Sequence, residues 1–128
     1  MTPVPRAELV VDLEALRHNV RTLDARTGPG VATMCVVKAD AYGHGLLQVA
    51  RAARQAGASW LGVATLEEAL ALRAGGDEGR LLTWLTVPGE DRAPAVAADV
   101  DVTAYDLAGL AQVVGRDRKS TRLNSSHR

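Results

Sequence analysis

The chain has no phenylalanine, and its aromatic residues are two tryptophans and two tyrosines among 128 positions. Any core must therefore be packed from small aliphatic side chains. Cysteine occurs once, as Cys35, which excludes an internal disulfide and fits a reduced, cytosolic compartment. Inside an apolar run, that residue reads as a small core side chain. Net charge is absent too, with Lys+Arg and Asp+Glu at 15 each. Nothing global favours nucleic acid or a membrane surface as a partner. No basic stretch followed by an apolar block opens the chain, and no apolar run approaches membrane-spanning length. The expectation is a soluble cytoplasmic protein with small-molecule chemistry. The three histidines are scattered, so no metal site is expected. No Ser/His/Asp or Cys/His arrangement can be assembled either.

What the chain does have is alternation. Residues 7–11 form a short apolar stretch read as a strand, and Asp12 is placed to cap a helix through Leu13, Leu16, Val20 and Leu23. Residues 30–37 read as a buried, β-branched-rich strand between turn signals. After Gly43 and Gly45, Leu46, Leu47, Val49, Ala50 and Ala53 mark one side of a helix ending near Gly57. A strand over 59–64 follows. Thr65 and Glu68 then have the capping-box spacing that opens a helix over 66–74. Gly75 and Gly76 stop it, and 80–87 is the next strand. A short helix containing 93–98, a fourth strand over 100–105 and a helix over 107–114 capped by Asp106 complete the pattern. Strict alternation of this kind argues a parallel sheet with crossover helices, because tight hairpins cannot join parallel neighbours.

The odd residue is Lys38, which ends the apolar run 30–37. Side chains alternate along a strand, so Met34, Val36 and Lys38 share one face while Cys35 and Val37 share the other. A charged group at the carboxyl end of a parallel strand stands where sheet and barrel enzymes place their chemistry. By parity alone, a lysine that snorkels to water explains the position as well. Tyr42 alone reads as an ordinary turn tyrosine, His44 as a surface or cap histidine, and Trp84 as core packing.

Lys38-Ala39-Asp40-Ala41-Tyr42-Gly43-His44-Gly45 resembles the cofactor-lysine motif of alanine racemases, and the likeness runs from about Glu8 to about Gly115. The resemblance implies an α/β fold, a partial parallel β/α barrel of the alanine racemase N-terminal type, amounting to about half of one. It implies pyridoxal 5'-phosphate as cofactor and a small amino acid as substrate, with interconversion of L- and D-alanine supplying D-alanine for the cell wall. Lys38 would hold the cofactor and act as a base at the α-carbon. Tyr42 would donate a hydrogen bond to the cofactor phosphate, and Trp84 would face the cofactor. The family works as a homodimer with shared active sites, and its second base, a tyrosine, and its pyridine-facing arginine lie late in the chain. Neither position exists here, so the segment by itself is expected to be inactive. The competing expectation is a non-catalytic, pyridoxal-phosphate-binding barrel of the cofactor-homeostasis type, and Ala41 to Gly45 favour the racemase. A structural module with an incidental lysine is the third.

Length and the last residues add one more expectation. A complete barrel takes about 250 residues, and the alternation stops mid-fold. Residues 117–128 have one large apolar side chain and no period. They resemble the in-frame translation of a sequencing-library adapter. Residues 1–116 are therefore read as a partial barrel domain, and 117–128 as an extraneous, unstructured tail excluded from fold reasoning.

Overall fold

The computed structural model describes residues 2–119. Four strands lie side by side in the order β1-β2-β3-β4: β1 Met34–Val36, β2 Trp60–Val63, β3 Arg80–Thr83 and β4 Asp101–Val102. Every neighbouring pair is parallel, with Val36 opposite Gly62, Gly62 opposite Leu82, and Leu82 opposite Asp101. The helices α1 (Leu13–Ala25), α3 (Leu46–Gln55), α4 (Leu66–Ala74), α5 (Ala93–Ala97) and α6 (Leu107–Lys119) alternate with them, and α2 (Lys38–Tyr42) is a single turn after β1. This is the expected β/α order, half a parallel barrel.

Local chemistry sets the helix starts. Asp12 Oδ1 accepts from the Ala15 amide at 3.0 Å, and Asp106 Oδ1 accepts from Gly109 at 2.7 Å. At α4 the capping box is complete, Thr65 Oγ1 taking the Glu68 amide and Glu68 taking the Thr65 amide. Each such cap stabilises its helix by about 1 kcal/mol.

One face of the sheet carries the core. Val37, Leu61, Val63 and Leu81 are fully buried against Val49, Ala50, Ala53, Leu66, Ala69 and Leu72. Alanine on the helix faces lets α3 and α4 sit close to the sheet, the packing expected of a core without phenylalanine. The buried Thr83 hydroxyl donates to the Ala64 carbonyl at 2.9 Å, so that polar atom is satisfied. The other face is open. Met34 and Val36 remain 37% and 48% exposed.

Several expected bounds and faces change. Residues 7–11 are not a strand, and Leu9 and Val10 are exposed, because an apolar string without a ladder partner leaves its backbone groups to water. The strand expected over 30–37 is three residues long and exposed on one side. The strands expected over 80–87 and 100–105 shorten to β3 and β4. Leu23 is exposed rather than in the core, and Leu47 lies outside the core against Gly75 at the end of α4. Helix α6 runs on to Lys119, so the first three residues of the segment 117–128 are helical. Residues 120–128 lie outside the described residues.

Candidate active site

The carboxyl end of β1 turns sharply. Val37 is buried, and its amide is held by the Gly62 carbonyl at 2.9 Å. From Ala39 to Tyr42 four consecutive non-glycine residues have positive φ, 55°, 56°, 52° and 54°. They form one left-handed helical turn, closed by the Ala41 amide on the Val37 carbonyl at 3.0 Å. L-residues in this conformation cost about 1–2 kcal/mol each, so the turn persists only because its surroundings hold it.

Those surroundings can be named. The Asp40 carbonyl accepts from the amides of Gly43 and Gly45, both at 3.0 Å, while its carboxylate accepts from the Leu46 amide at 2.8 Å and so starts α3. Gly43 and Gly45 continue the positive φ at 85° and 100°, where glycine is unstrained. Ala41 is buried in the core. The remaining tie comes from the first turn of α4: Glu68 Oε2 accepts from the Ala39 amide at 2.5 Å. Glu68 Oε1 meanwhile takes the Ala64 and Thr65 amides at 3.1 and 2.9 Å. Burial pushes the Glu68 carboxyl up, but the hydrogen bonds from Thr65, Ala39 and Ala64 outweigh it and hold its pKa below the ordinary glutamate value.

The turn brings Lys38 and Tyr42 together. Lys38 Nζ lies 5.0 Å from the centroid of the Tyr42 ring, within reach of a cation–π attraction. Lys38 is half-buried, and Tyr42 is 70% exposed. Among the described residues no carboxylate forms an ion pair with Lys38. The amine is thus held by an aromatic ring rather than neutralised.

Trp84 stands one residue past β3 and is half-buried. A Cβ built on Gly62 would lie 2.9 Å from its ring and 2.7 Å from the Met34 sulfur. Met34 and Trp84 therefore meet over Gly62 on the open face, and only glycine fits beneath them. No ring contact joins Trp84 to Lys38. His44 Nδ1 lies 2.9 Å from the Ala41 carbonyl, a local bond of the turn. Cys35 is half-buried, and burial pushes its thiol up, the reverse of an activated nucleophile. Among the described residues no group of three or more His, Cys, Asp or Glu side chains is placed to hold a metal ion. No described helix is long and apolar enough to cross a membrane.

Sequence reasoning found Glu68 as a helix cap but missed its second oxygen. Nothing in the spacing of a capping box reveals a bond to an amide 29 positions earlier.

The comparisons with known proteins agree with this fold. Residues 11–125 match the alanine racemase N-terminal domain family. The chain is 50% identical over 122 residues to an alanine racemase of Frankia casuarinae, covering 95% of this chain and 32% of that protein. It is 55% identical over 111 residues to an alanine racemase of Mycolicibacterium smegmatis, covering 87% and 28%. The crystal structure of alanine racemase from Streptomyces lavendulae superposes with a TM-score of 0.81 at 49% identity, over 88% of this chain and 29% of that one. The chain thus spans about a third of the length of the relatives it matches. With its β/α half barrel and its lysine turn, the chain belongs to the alanine racemase N-terminal domain family.

Proposed function

We propose that this chain is the lysine-bearing front portion of a pyridoxal-phosphate-dependent enzyme that interconverts L- and D-alanine in the cytoplasm. The observation that carries the proposal is the turn from Lys38 to Gly45. In a chain of this family, it holds a primary amine beside a phenol at the carboxyl end of the sheet, with no carboxylate paired to the amine among the described residues.

The donor set fits the cofactor. Bound there, pyridoxal phosphate supplies an aldehyde that condenses with a primary amine with loss of water, and an electron sink for charge left at an amino acid's α-carbon. Lys38 is the residue that would hold it and, once its nitrogen is free, take or return the proton at the α-carbon. Tyr42 presents a solvent-facing hydroxyl suited to donate to the phosphate. Trp84 offers an apolar wall over Gly62 on the open face.

Racemisation needs a base on each side of the α-carbon, and Lys38 supplies one. The second base, a tyrosine, would come from a partner subunit in a homodimer, and an arginine late in the full-length chain would face the pyridine nitrogen. By itself the 128-residue chain would not turn over.

The test is exchange of the alanine α-hydrogen with D₂O in a full-length racemase that carries this segment. Lys38→Ala should lose covalent capture of the cofactor. At saturating cofactor it should still be slower by roughly 10²- to 10⁴-fold, the usual contribution of a general base. Near-wild-type exchange by Lys38→Ala rejects the assignment. Cofactor capture at Lys38 without exchange in the wild type would favour a non-catalytic cofactor-binding barrel.

A further inference from the structure

We infer that Glu68 is a positioning residue for Lys38, a carboxylate in the first turn of α4 that holds the left-handed turn after β1 in the form that aims the amine. The inference rests on the proposed function of Lys38.

The argument starts from how the two oxygens are used. Glu68 Oε1 accepts from the Ala64 amide, the Thr65 amide and the Thr65 hydroxyl, at 3.1, 2.9 and 3.2 Å. A capping box needs only that oxygen. Oε2 is left over and points across to the Ala39 amide at 2.5 Å. Ala39 is the residue directly after Lys38 and the first with positive φ. The bond is therefore made where the chain leaves the ordinary conformation. Without it, the Ala39 amide loses its acceptor and the first strained residue its one long-range tie. The turn then has a free-energy incentive to relax, and the 5.0 Å placement of Nζ over the Tyr42 ring depends on that turn. The hydrogen bonds also hold the Glu68 carboxyl in its charged form, and charge-assisted bonds are the stronger kind.

The two oxygens allow a selective test. Glutamine at this position has one accepting oxygen. That oxygen keeps the three donors at Ala64 and Thr65, so the amide nitrogen must face the Ala39 N–H, donor against donor. Glu68→Gln thus preserves size and helix cap while breaking the clamp. Glu68→Asp keeps the charge but is one methylene shorter and cannot reach both the Thr65 cap and the Ala39 amide. Asp12→Ala, which removes the α1 cap, serves as a control of similar fold cost far from the turn.

In the full-length racemase carrying this segment, pyridoxal phosphate affinity is read by absorbance, and capture at Lys38 by borohydride reduction and peptide mass. Amide exchange at Ala39 is read without cofactor. Glu68→Gln and Glu68→Asp should each weaken cofactor binding and speed Ala39 exchange by about tenfold, the scale of one charge-assisted hydrogen bond. Asp12→Ala should lower thermal stability yet leave both readouts within about twofold, since distant caps act independently. Either Glu68 variant with wild-type affinity and wild-type Ala39 exchange overturns the inference; if one of them does not fold, the other decides. A wild-type protein that never captures cofactor at Lys38 overturns the proposed function itself. That failure is distinct, because the Ala39 readout needs no cofactor.

Discussion

The two ends of the sheet use charge in opposite ways. At the amino-terminal end, Arg54 and Arg73 converge on Asp77 in a closed cage. Arg54 binds both Asp77 oxygens at 2.8 and 2.9 Å and reaches the Ser59 and Arg80 carbonyls. Arg73 binds Asp77 at 3.2 Å and the carbonyls of Gly79, Ala98 and Asp99. The partners there lie in loops that enter strands or, for Arg80, at the first residue of β3, so the cage ties helices to the strand entrances. At the carboxyl end, Lys38 has a ring beneath it and no carboxylate paired with it among the described residues. The strong carboxylate, Glu68, binds backbone amides instead of the amine. The paired guanidiniums are locked in place, whereas no carboxylate among the described residues locks Lys38. In parallel β/α folds stability concentrates at the first end and chemistry at the second, and the charge pattern here divides the same way.

The sharpest way to break the comparison is to empty the cage. Asp77→Ala leaves two part-buried guanidiniums without their carboxylate. Removing one partner of such a network should destabilise the fold by about 3 kcal/mol. Urea unfolding of the full chain should show it. If the ends are separable, the folded fraction should capture cofactor at Lys38 as the wild type does. An Asp77→Ala protein with wild-type stability would remove the cage from the account of the fold.

This division was only half legible in the sequence. The order of elements and the caps at Asp12, Thr65 and Asp106 depend on neighbours within three positions, and local pattern found them. The left-handed turn was not legible, because nothing in Ala39-Asp40-Ala41-Tyr42 prefers positive φ and only glycine announces it. Its hand is set by the Asp40 bonds to Gly43, Gly45 and Leu46 together with Glu68 and the burial of Ala41, and the last two are tertiary. The same limit explains residues 7–11, whose apolar composition reads as a strand but which have no ladder to join. It also explains Met34 and Val36, whose alternation was right and whose burial was not. Parity says which side chains share a face, but not whether anything covers it.

Acid offers a smaller, graded test. The Glu68 pKa is lowered in the folded chain, so its stabilising bonds are fully present above the ordinary glutamate value of about 4.3 and are lost as pH falls through the lower folded value. The stability gap between wild type and Glu68→Gln should be flat from neutrality down to about pH 5 and should close below about pH 4. Ala39 exchange should accelerate over the same interval. A gap that stays constant into the acid range would mean that the carboxylate charge contributes nothing to the turn.

The smallest expected effect belongs to Tyr42, where the comparison is between losing a ring and losing a hydroxyl. Tyr42→Phe keeps the aromatic face beneath Nζ, so the ring contact and the turn should survive. What disappears is one neutral O–H donor on a side chain that is 70% exposed. A single neutral hydrogen bond is worth about 1 kcal/mol net, which corresponds to roughly a fivefold weaker hold on the cofactor phosphate. Because the base proposed at Lys38 is untouched, excess pyridoxal phosphate should restore α-hydrogen exchange almost fully in a full-length protein carrying Tyr42→Phe but not in one carrying Lys38→Ala. Tyr42→Leu separates the ring from the hydroxyl, since it removes both, and should lower exchange further even at saturating cofactor. If Tyr42→Phe were as crippled as Lys38→Ala at saturation, the hydroxyl would have to act in proton transfer and not only in retention. Equal behaviour of Tyr42→Phe and Tyr42→Leu would instead mean that the ring under the amine has no part in holding it.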